Sequence, residues 1–415
     1  MWAVKGSDGA LRSRTADCSP ISAGIAASAL REVRHRRSHR VMAMVGISCA
    51  ALLAGLGAAA PAAASANRGN GAAGTSCTGW TDLQPPNPGT YNVLNDVDVL
   101  STTNAWAAGS FDPLNGDPTS SLVEHWDGSA WKATLLFPGV FSGVAAASPT
   151  SVWAVGYRRH GRTLIVHWNG AGWRELDPSP RGGLYDVAAI SPANVWTVGS
   201  LIMHWNGKGW KQLRIPVSVG VLLGVAASSP TQIWAVGTSG STDNRTLVLH
   251  WNGTKWKRVP SPNPAGALPG NLNVLDSVTV ISRNNVWAAG YDASPTDGPR
   301  KTLIEHWNGT RWKHVASPSP GGSVGLGSVL TGVAGTSASN VWAVGEYSSG
   351  TAELSLTARW NGKTWEQVAS PNLGGTTTYA RNRLKAVAAT SASNVWAVGS
   401  WSGQAGSGAL AIHRC

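Results

Sequence analysis

The sequence contains no helix signals after residue 66, neither the 3.6-residue hydrophobic period nor the capping residues that precede it. Helical and α/β folds are therefore excluded for most of the 415-residue chain. Phenylalanine is scarce, with 3 residues, whereas tryptophan and glycine are abundant, with 22 and 50. This composition is typical of an all-β protein with short strands and many turns.

Charged residues are few, and they form no pattern that indicates a charged ligand. The chain has 33 basic and 21 acidic residues without a long stripe of Lys or Arg, so we expect no nucleic-acid partner. No unambiguous pair of carboxylates stands out, which favours binding over catalysis. The sequence predicts neither a metal site nor a cofactor. Attraction to anionic cell-wall or surface polymers stays open, because the chain is net positive.

The chain has one long hydrophobic run, and it has the pattern of a secretory signal. The basic segment RHRRSHR (34–40) precedes the apolar run at 41–60. Small residues at 62–66 predict cleavage after Ala66. An uncleaved membrane anchor is the alternative.

The residues around this signal lead to further expectations. Those before Arg34 fit no signal peptide, so the sequence suggests translation from Val33. Residues 1–66, with Cys18 and Cys49, are expected to be absent from the mature chain, and residues 67–76 to form a short linker. We therefore expect a secreted monomer, extracellular or cell-wall associated, without stable membrane insertion.

The rest of the chain is an internal repeat. A motif of the form V-W-A-V-G recurs seven times, at intervals of 47, 43, 38, 53, 55 and 54 residues. Its tryptophans are Trp106, Trp153, Trp196, Trp234, Trp287, Trp342 and Trp396. Each of the first six is followed by a second tryptophan and, always five residues later, by a third. The constant spacing, with Asn-Gly or Asp-Gly inside it, predicts a tight hairpin.

One repeat predicts four short antiparallel strands, A to D. Strand A is a run such as LYDVAAI, strand B contains NVWAVG, strand C resembles TLIEHW, and strand D begins at the third tryptophan. Four strands in each repeat of about 40–55 residues describe a blade of a β-propeller. We predict an all-β, seven-bladed β-propeller over residues 77–415. The histidine before the second tryptophan is expected to pack or hydrogen-bond, because it recurs in six repeats.

The two termini are predicted to complete the same blade. Arg414 follows Trp396 by the same number of residues as Trp360 follows Trp342, so it occupies a strand C tryptophan position. The chain then ends without a strand D. The segment around Trp80 matches strand D of a repeat and has no A, B or C strand ahead of it.

Cys77 and Cys415 fall in the interrupted C–D turn of that blade. Cys415 takes the Asn position of the turn and Cys77 the Gly position. Neighbouring turn positions lie about 5 Å apart between Cα atoms once the cut turn relaxes, which suits a disulfide. We predict a Cys77–Cys415 disulfide, with two free thiols as the alternative.

These repeats resemble the Trp-rich NVWAVG…HWNGTxW repeats of secreted actinobacterial proteins, and more distantly the kelch and galactose-oxidase-like propellers. The resemblance covers residues 77–415 and implies a secreted propeller, without an activity that carries over. Asp127 and Trp131 are four residues apart with Gly128 directly after the Asp, unlike the Asp-box of sialidase-like propellers. A Tyr–Cys copper site would need a spare cysteine, which the disulfide leaves unavailable.

Function is expected where the repeats differ. Because the strands alternate in direction, the D–A and B–C connections share one face, which we call the variable-loop face. The A–B and C–D turns form the opposite, hairpin-turn face. The variable connections range from Gly199-Ser200-Leu201 to 290–302 and 370–383. The predicted ligand-binding residues on this face are Phe111, Tyr157, Arg158, Arg159, Tyr291, Asp292, Arg300, Glu346, Tyr347 and Trp401.

Two functions fit these residues. The first is a non-catalytic binding module that recognises a glycan or a protein surface, although rim aromatics that cap blade edges without any ligand stay an alternative. The second is a hydrolase or lyase of extracellular polysaccharide. Its candidate acids and bases are Asp112, Asp292, Asp297 and Glu346. Asp96 and Asp98, in strand A, are expected to be solvated channel carboxylates, with a cation site as the alternative.

Overall fold

The computed structural model describes residues 79–114, 119–176, 181–217, 220–240, 244–296, 298–322 and 325–415. All of these belong to the compact unit Ser76–Cys415. The predicted signal segment, the linker, Cys77 and Asp297 lie outside the described residues. In the described part of the chain, no helix is long and apolar enough to cross a membrane.

The described residues form strands that follow one another in sets of four, A to D, and each set is one unit. The A strands are β2 Tyr91–Ser101, β6 Val140–Ser148, β10 Leu184–Ser191, β14 Gly220–Ser229, β18 Leu272–Ser282, β22 Ser328–Ser337 and β26 Arg381–Ser391. The B strands are β3 Asn104–Asp112, β7 Ser151–Arg158, β11 Asn194–Gly199, β15 Gln232–Ser239, β19 Asn285–Ala293, β23 Asn340–Ser348 and β27 Asn394–Gly403.

The C and D strands complete the units. The C strands are β4 Ser120–Trp126, β8 Arg162–Trp168, β12 Ile202–Trp205, β16 Arg245–Trp251, β20 Lys301–Trp307, β24 Glu353–Trp360 and β28 Gly406–Arg414. The D strands are β5 Trp131–Pro138, β9 Trp173–Glu175, β13 Trp210–Leu213, β17 Trp256–Arg258, β21 Trp312–Val315 and β25 Trp365–Val368, and β1 is Trp80–Asp82. A 3-10 turn, Arg159–Gly161, precedes β8.

Five units are separate four-stranded antiparallel sheets in the order A-B-C-D. The last two units share a larger sheet, in which β24 and β26 meet at one parallel bridge between Glu353 and Arg381. The prediction of an all-β chain with four antiparallel strands in each repeat is confirmed.

The C–D hairpins have one geometry throughout. In the unit of β16 and β17, Asn252 Oδ1 accepts hydrogen bonds from the backbone N–H groups of Thr254 and Lys255, both at 3.1 Å. Gly253 has φ of 97°, and a Cβ there would lie 2.9 Å from the Thr231 side chain. The turn therefore needs a side-chain acceptor, Asn or, in the first unit, Asp127, followed by Gly, which explains the constant spacing of the tryptophans.

The N-terminal strand pairs with the C-terminal one. β1 runs antiparallel to β28, with Trp80 opposite Arg414, the register at which Trp126 faces Trp131 in the first unit. The contact continues beyond β1, where Leu83 N–H donates to the Ala411 carbonyl at 3.0 Å.

The B-strand tryptophans pack across the boundaries between units. The Trp106 ring lies 5.9 Å from that of Trp168 and 5.8 Å from that of Trp173, in the next unit. The same contact joins Trp153 to Trp205 and Trp210, Trp196 to Trp251 and Trp256, Trp234 to Trp307 and Trp312, Trp287 to Trp360 and Trp365, and Trp396 to Trp126 and Trp131. The last unit thus packs against the first.

Most B-strand tryptophans also stack on a histidine of their own unit. The ring centroids of these pairs lie between 4.1 and 4.5 Å apart. Nε2 of His204 lies 2.9 Å from Asn194 Oδ1, and burial lowers the pKa of this histidine. The recurrent histidines therefore pack and hydrogen-bond inside the fold, as expected.

The A strands lie side by side at the centre, β2 against β6 and so on to β26, which lies against β2. Three aspartates join neighbouring A strands, and one of them, Asp186, accepts the backbone N–H of Val225 through Oδ2 at 2.7 Å. Asp96 Oδ2 accepts the backbone N–H of Val144 at 2.8 Å, and Asp98 Oδ2 accepts that of Ala146 at 2.8 Å. Asp96 and Asp98, expected to be solvated carboxylates with a cation site as the alternative, are half-buried, and their oxygens tie β2 to β6.

Two glutamates occupy an otherwise apolar position of strand C. Glu124 and Glu305 are 0% exposed, and neither carboxyl has a hydrogen-bond partner among the described residues. The equivalent residues elsewhere are Val166, Met203, Leu249, Ala358 and Ile412. Burial raises the pKa of Glu124 to about 8 and that of Glu305 well above its ordinary value. Glu124 is thus mostly protonated at neutral pH.

We predict that these glutamates make the fold less stable as the pH rises. Between the ordinary pKa of 4.5 and about 8, folded Glu124 keeps a proton that the unfolded chain releases. One such group lowers the free energy of unfolding by up to about 1.4 kcal/mol per pH unit in that window. In urea unfolding, the Glu124→Gln/Glu305→Gln variant should match the wild type at pH 5 and exceed it progressively toward pH 8. Glu366→Gln, at an exposed site, is the control. An unchanged pH profile in the double variant would contradict the assignment.

Candidate functional site

The two faces differ as the strand order predicts. On the hairpin-turn face every A strand is joined to its B strand by a two-residue turn, as between Ser101 and Asn104. On the variable-loop face the connections range from one residue, Gly139, to the thirteen-residue segment 259–271. The scaffold is therefore uniform at one end and variable at the other.

Phe111 is not on the surface of the variable-loop face. It is 5% exposed and belongs to the core cluster that contains Leu94 and Trp396. A Cβ added at Gly89 would lie 2.9 Å from the Phe111 ring, which shows how closely the segment before β2 covers it. The prediction that Phe111 contacts a ligand is therefore wrong.

The other predicted aromatics are half-buried at the ends of their B strands. Tyr347 packs against the core around Trp287, and Trp401 against the core around Trp342. Tyr157 meets Tyr185 in a T-shaped contact with 6.4 Å between ring centroids. These three side chains are therefore partly covered by the protein itself.

The predicted arginines near β7 have different environments. Arg158 Nη2 lies 2.7 Å from Glu175 Oε2, and its guanidinium stands 5.8 Å from the Phe137 ring centroid. It therefore links strands B and D of its unit. Arg159 is exposed in the 3-10 turn, whereas Asp292 lies within β19 opposite Lys301.

Glu346 belongs to a network of ion pairs. Arg383 Nε lies 3.1 Å from Glu346 Oε2, and Arg383 Nη2 lies 2.6 Å from Glu353 Oε2. Asp112, another candidate acid, accepts a hydrogen bond from Thr119 Oγ1 at 2.7 Å. These carboxylates serve structural contacts, which does not favour them as an acid–base pair.

A shallow groove lies beside this network. Its lining includes Gly325, Leu326, Thr351, Glu353, Tyr379 and Arg381. Tyr379 is 87% exposed and has φ of 68°, and Leu326 is 58% exposed. The N–H of Tyr379 donates to the Thr351 carbonyl at 3.0 Å, and the next residue, Ala380, is buried. These anchors hold an aromatic ring in solvent at a strained backbone position.

Exposed apolar side chains concentrate on this face. Of the large apolar residues that are exposed in the described chain, four lie on D–A or B–C connections and one, Leu135, lies on β5. The four are Leu114, Leu268, Leu326 and Tyr379. The sequence analysis missed them, because single residues in loops of unequal length carry no periodic signal.

A second cluster lies toward the centre of the face. Asp276 is the extra residue of a β-bulge in β18, and Lys385 is the corresponding residue in β26. Burial raises the pKa of Asp276 to about 7, while the charges of Lys385 and Arg300 oppose the rise. Asp276 Oδ2 is buried without a hydrogen-bond partner among the described residues.

Two predicted residues join this cluster. The Arg300 guanidinium stands 4.8 Å from the centroid of the Tyr291 ring. Burial, together with the charge of Asp276, raises the pKa of Tyr291 to about 12. The structure thus brings Tyr291 and Arg300 together with Asp276 and Lys385, which the sequence analysis did not identify. No group of three His, Cys, Asp or Glu residues in the described chain is placed to hold a metal ion.

No protein-family model and no curated protein matches the sequence. Solved structures do match, at low identity. YCF48 from Cyanidioschyzon merolae is 16% identical, with a TM-score of 0.53 over 81% of this chain and 99% of that one. The WD40 β-propeller domain of Doa1 is 12% identical, with a TM-score of 0.50 over 81% and 97%. The fold is that of a β-propeller. A GH74 xyloglucanase from Xanthomonas campestris is 14% identical, with a TM-score of 0.50 over 77% of this chain and 53% of that one.

Proposed function

We propose that this protein is a secreted, non-catalytic binding module on a closed seven-bladed propeller, and that its variable-loop face recognises a partner protein. The observation that carries the proposal is Tyr379, an aromatic ring held in solvent by a left-handed backbone beside exposed Leu326. Strain of this kind persists only where the surroundings enforce it, and it clusters at functional sites.

A closed ring of seven blades is supported by three contacts. The A strands neighbour one another from β2 to β26 and back to β2. Trp396 packs on the hairpin tryptophans of the first unit. β1 takes the strand D position beside β28. Together these contacts favour a last blade made from both termini.

Secretion and the disulfide support one another. Cys415 is the only cysteine among the described residues, and it is disulfide-bonded. It follows Arg414, which faces Trp80, and Cys77 stands three residues before Trp80. The basic, apolar and small-residue segments at 34–66, and the resemblance to secreted repeat proteins, place such a bond in an oxidising compartment.

A protein partner is favoured over a glycan because three of the four exposed apolar residues on this face are leucines. Glycan sites rely on flat aromatic platforms with polar neighbours, whereas protein hot spots are apolar or aromatic anchors that become desolvated. One of the similar solved structures is that of YCF48 bound to D1 peptide.

We predict that Cys77→Ser lowers the thermal stability of the secreted protein without changing its fold. A bond that spans nearly the whole domain contributes up to roughly 5 kcal/mol in the chain-entropy account. Differential scanning calorimetry under oxidising conditions should show a lower melting temperature for the variant, and reduction should remove the difference. Peptide mapping that finds both thiols free in secreted material would disprove the bond.

We predict that partner binding depends on Tyr379 and Leu326. A photo-crosslinking amino acid placed at position 379 should form one discrete protein adduct on the surface of the producing cells, whereas the same group at position 135 should form none. The Tyr379→Ala/Leu326→Ser variant should bind the captured partner at least tenfold more weakly in biolayer interferometry, because hot-spot truncations cost about 2 kcal/mol or more.

The control for this experiment is Leu135→Ser, which removes an equally exposed leucine outside the face. It should retain wild-type affinity. If the wild type gives strong hits on a glycan array and the Tyr379→Ala/Leu326→Ser variant weakens them, the ligand of this groove is a glycan and not a protein. Adducts only at position 135 would place the binding surface elsewhere.

A second candidate function is a polysaccharide-active enzyme, and the Asp276 cluster favours it. A carboxyl with a pKa of about 7 between Tyr291, Arg300 and Lys385 has the properties of a general acid or base. If the protein is such an enzyme, Asp276→Asn should abolish the release of reducing or unsaturated ends from polysaccharide, and Asp112→Asn should not. The absence of release from every neutral and anionic polysaccharide tested with the wild type would reject this function.

A further inference from the structure

We propose that the outer edge of the hairpin-turn face carries a binding site for an anionic polysaccharide, independent of the variable-loop face. The site is a basic belt on three consecutive units. It consists of Lys208, Lys211, Lys255, Lys257, Arg311 and Lys313, all exposed.

The repeat itself places these cations in register. Lys211, Lys257 and Lys313 each follow the first tryptophan of a D strand and face a C-strand histidine, as Lys211 faces His204. Lys208, Lys255 and Arg311 lie in the C–D turns of the same units. The outer edge therefore presents two cations per unit at a spacing fixed by the fold.

No negative charge accompanies them. The acidic residues between positions 182 and 327 are Asp186, Asp243, Asp276, Asp292, Asp297 and Glu305. The four that the structure describes, Asp186, Asp276, Asp292 and Glu305, lie on A, B or C strands and not on D strands or C–D turns. None of the belt residues forms an ion pair with a carboxylate of the described chain. Two other units differ, because Lys132 lies 2.7 Å from Asp127, and Glu366 faces Arg359. In the unit of β6 to β9, exposed Arg174 faces His167 as the belt lysines face their histidines.

The fold gains nothing from these charges. Each lysine lies against a histidine, and the charges of Lys211 and Lys313 help to lower the pKa of His204 and His306. A neutral residue would satisfy the strand equally well, as Thr81 does opposite His413. Unpaired cations that repeat without a structural reason point to an external anion.

The layout indicates the class of anion. Cations spread over three units can be engaged together only by an extended polymer with regularly spaced negative groups. The belt has five lysines and one arginine, and the neighbouring Trp256 and Trp312 are 7% and 5% exposed, so neither of these rings is open for nucleobase stacking. Carboxylated or sulfated polysaccharide fits this site better than nucleic acid does.

The test uses heparin and polygalacturonate as sulfated and carboxylated probes, with duplex DNA as the third arm. The Lys211→Ser/Lys257→Ser/Lys313→Ser variant should bind the polysaccharides at least tenfold more weakly than the wild type. The slope of log K against log salt concentration should fall by about 2–3, because one counterion is released per neutralised charge. Circular dichroism and the melting temperature should stay unchanged, since all three side chains are exposed.

The matched control removes three cations from the variable-loop face, Arg162→Ser/Arg181→Ser/Lys301→Ser, and should change affinity less than twofold. Equal losses of polysaccharide affinity in the two triple variants would show that binding depends only on net charge, and would overturn the proposal. So would a wild type that binds neither polysaccharide, or one that binds DNA as tightly. Because the groove at Tyr379 is untouched, failure here leaves the proposed partner binding unaffected.

Discussion

The fold depends on the burial of one tryptophan per unit against the hairpin of the next. Trp196, for example, is 2% exposed between His204 of its own unit and Trp251 and Trp256 of the following one. No unit can bury this ring alone, so each is stabilised only by its neighbour. The same requirement explains why the first and last units contact one another. Without that contact, the B-strand tryptophan of the last unit and the hairpin of the first would stay exposed.

The exception to this rule occurs where the chain is interrupted. Trp342 meets Trp80 at 5.3 Å between centroids, but the second tryptophan is replaced by Arg414, 5.0 Å above the ring, with Arg359 at 5.7 Å. Burial and the charge of Arg359 lower the pKa of Arg414. Cation–π contacts replace an aromatic pair here, at the one boundary where the C–D turn is cut. A covalent bond next to Arg414 would compensate for a weaker contact.

The sequence is sufficient to predict the features that recur from repeat to repeat, namely the strands, the hairpins and the packed histidines. It also predicts the pairing partner of Trp80. It fails for single residues whose roles depend on distant neighbours. The sequence suggests that Asp96 is a solvated carboxylate, but its Oδ2 accepts a hydrogen bond from the next A strand. At the following boundary β6 lies so close to Asp186 that a Cβ added at Gly143 would be 2.9 Å from the Asp186 Cα. Covering segments and β-bulges likewise determine the environments of Phe111, Asp276 and Tyr379, and these features leave no periodic pattern in the sequence.

The two faces therefore experience different constraints. On the variable-loop face the chain changes length, so it can add exposed groups such as Tyr379 and enclose polar ones such as Asp276. On the hairpin-turn face the Asn-Gly turns and paired tryptophans fix nearly every backbone position. Only the side chains that point outward are free to vary there. These positions carry cations in three successive units, although the charges of Lys211 and Lys313 help to lower the pKa of His204 and His306. The pairing of the strands does not require a cation there, since Thr81 takes the same position opposite His413.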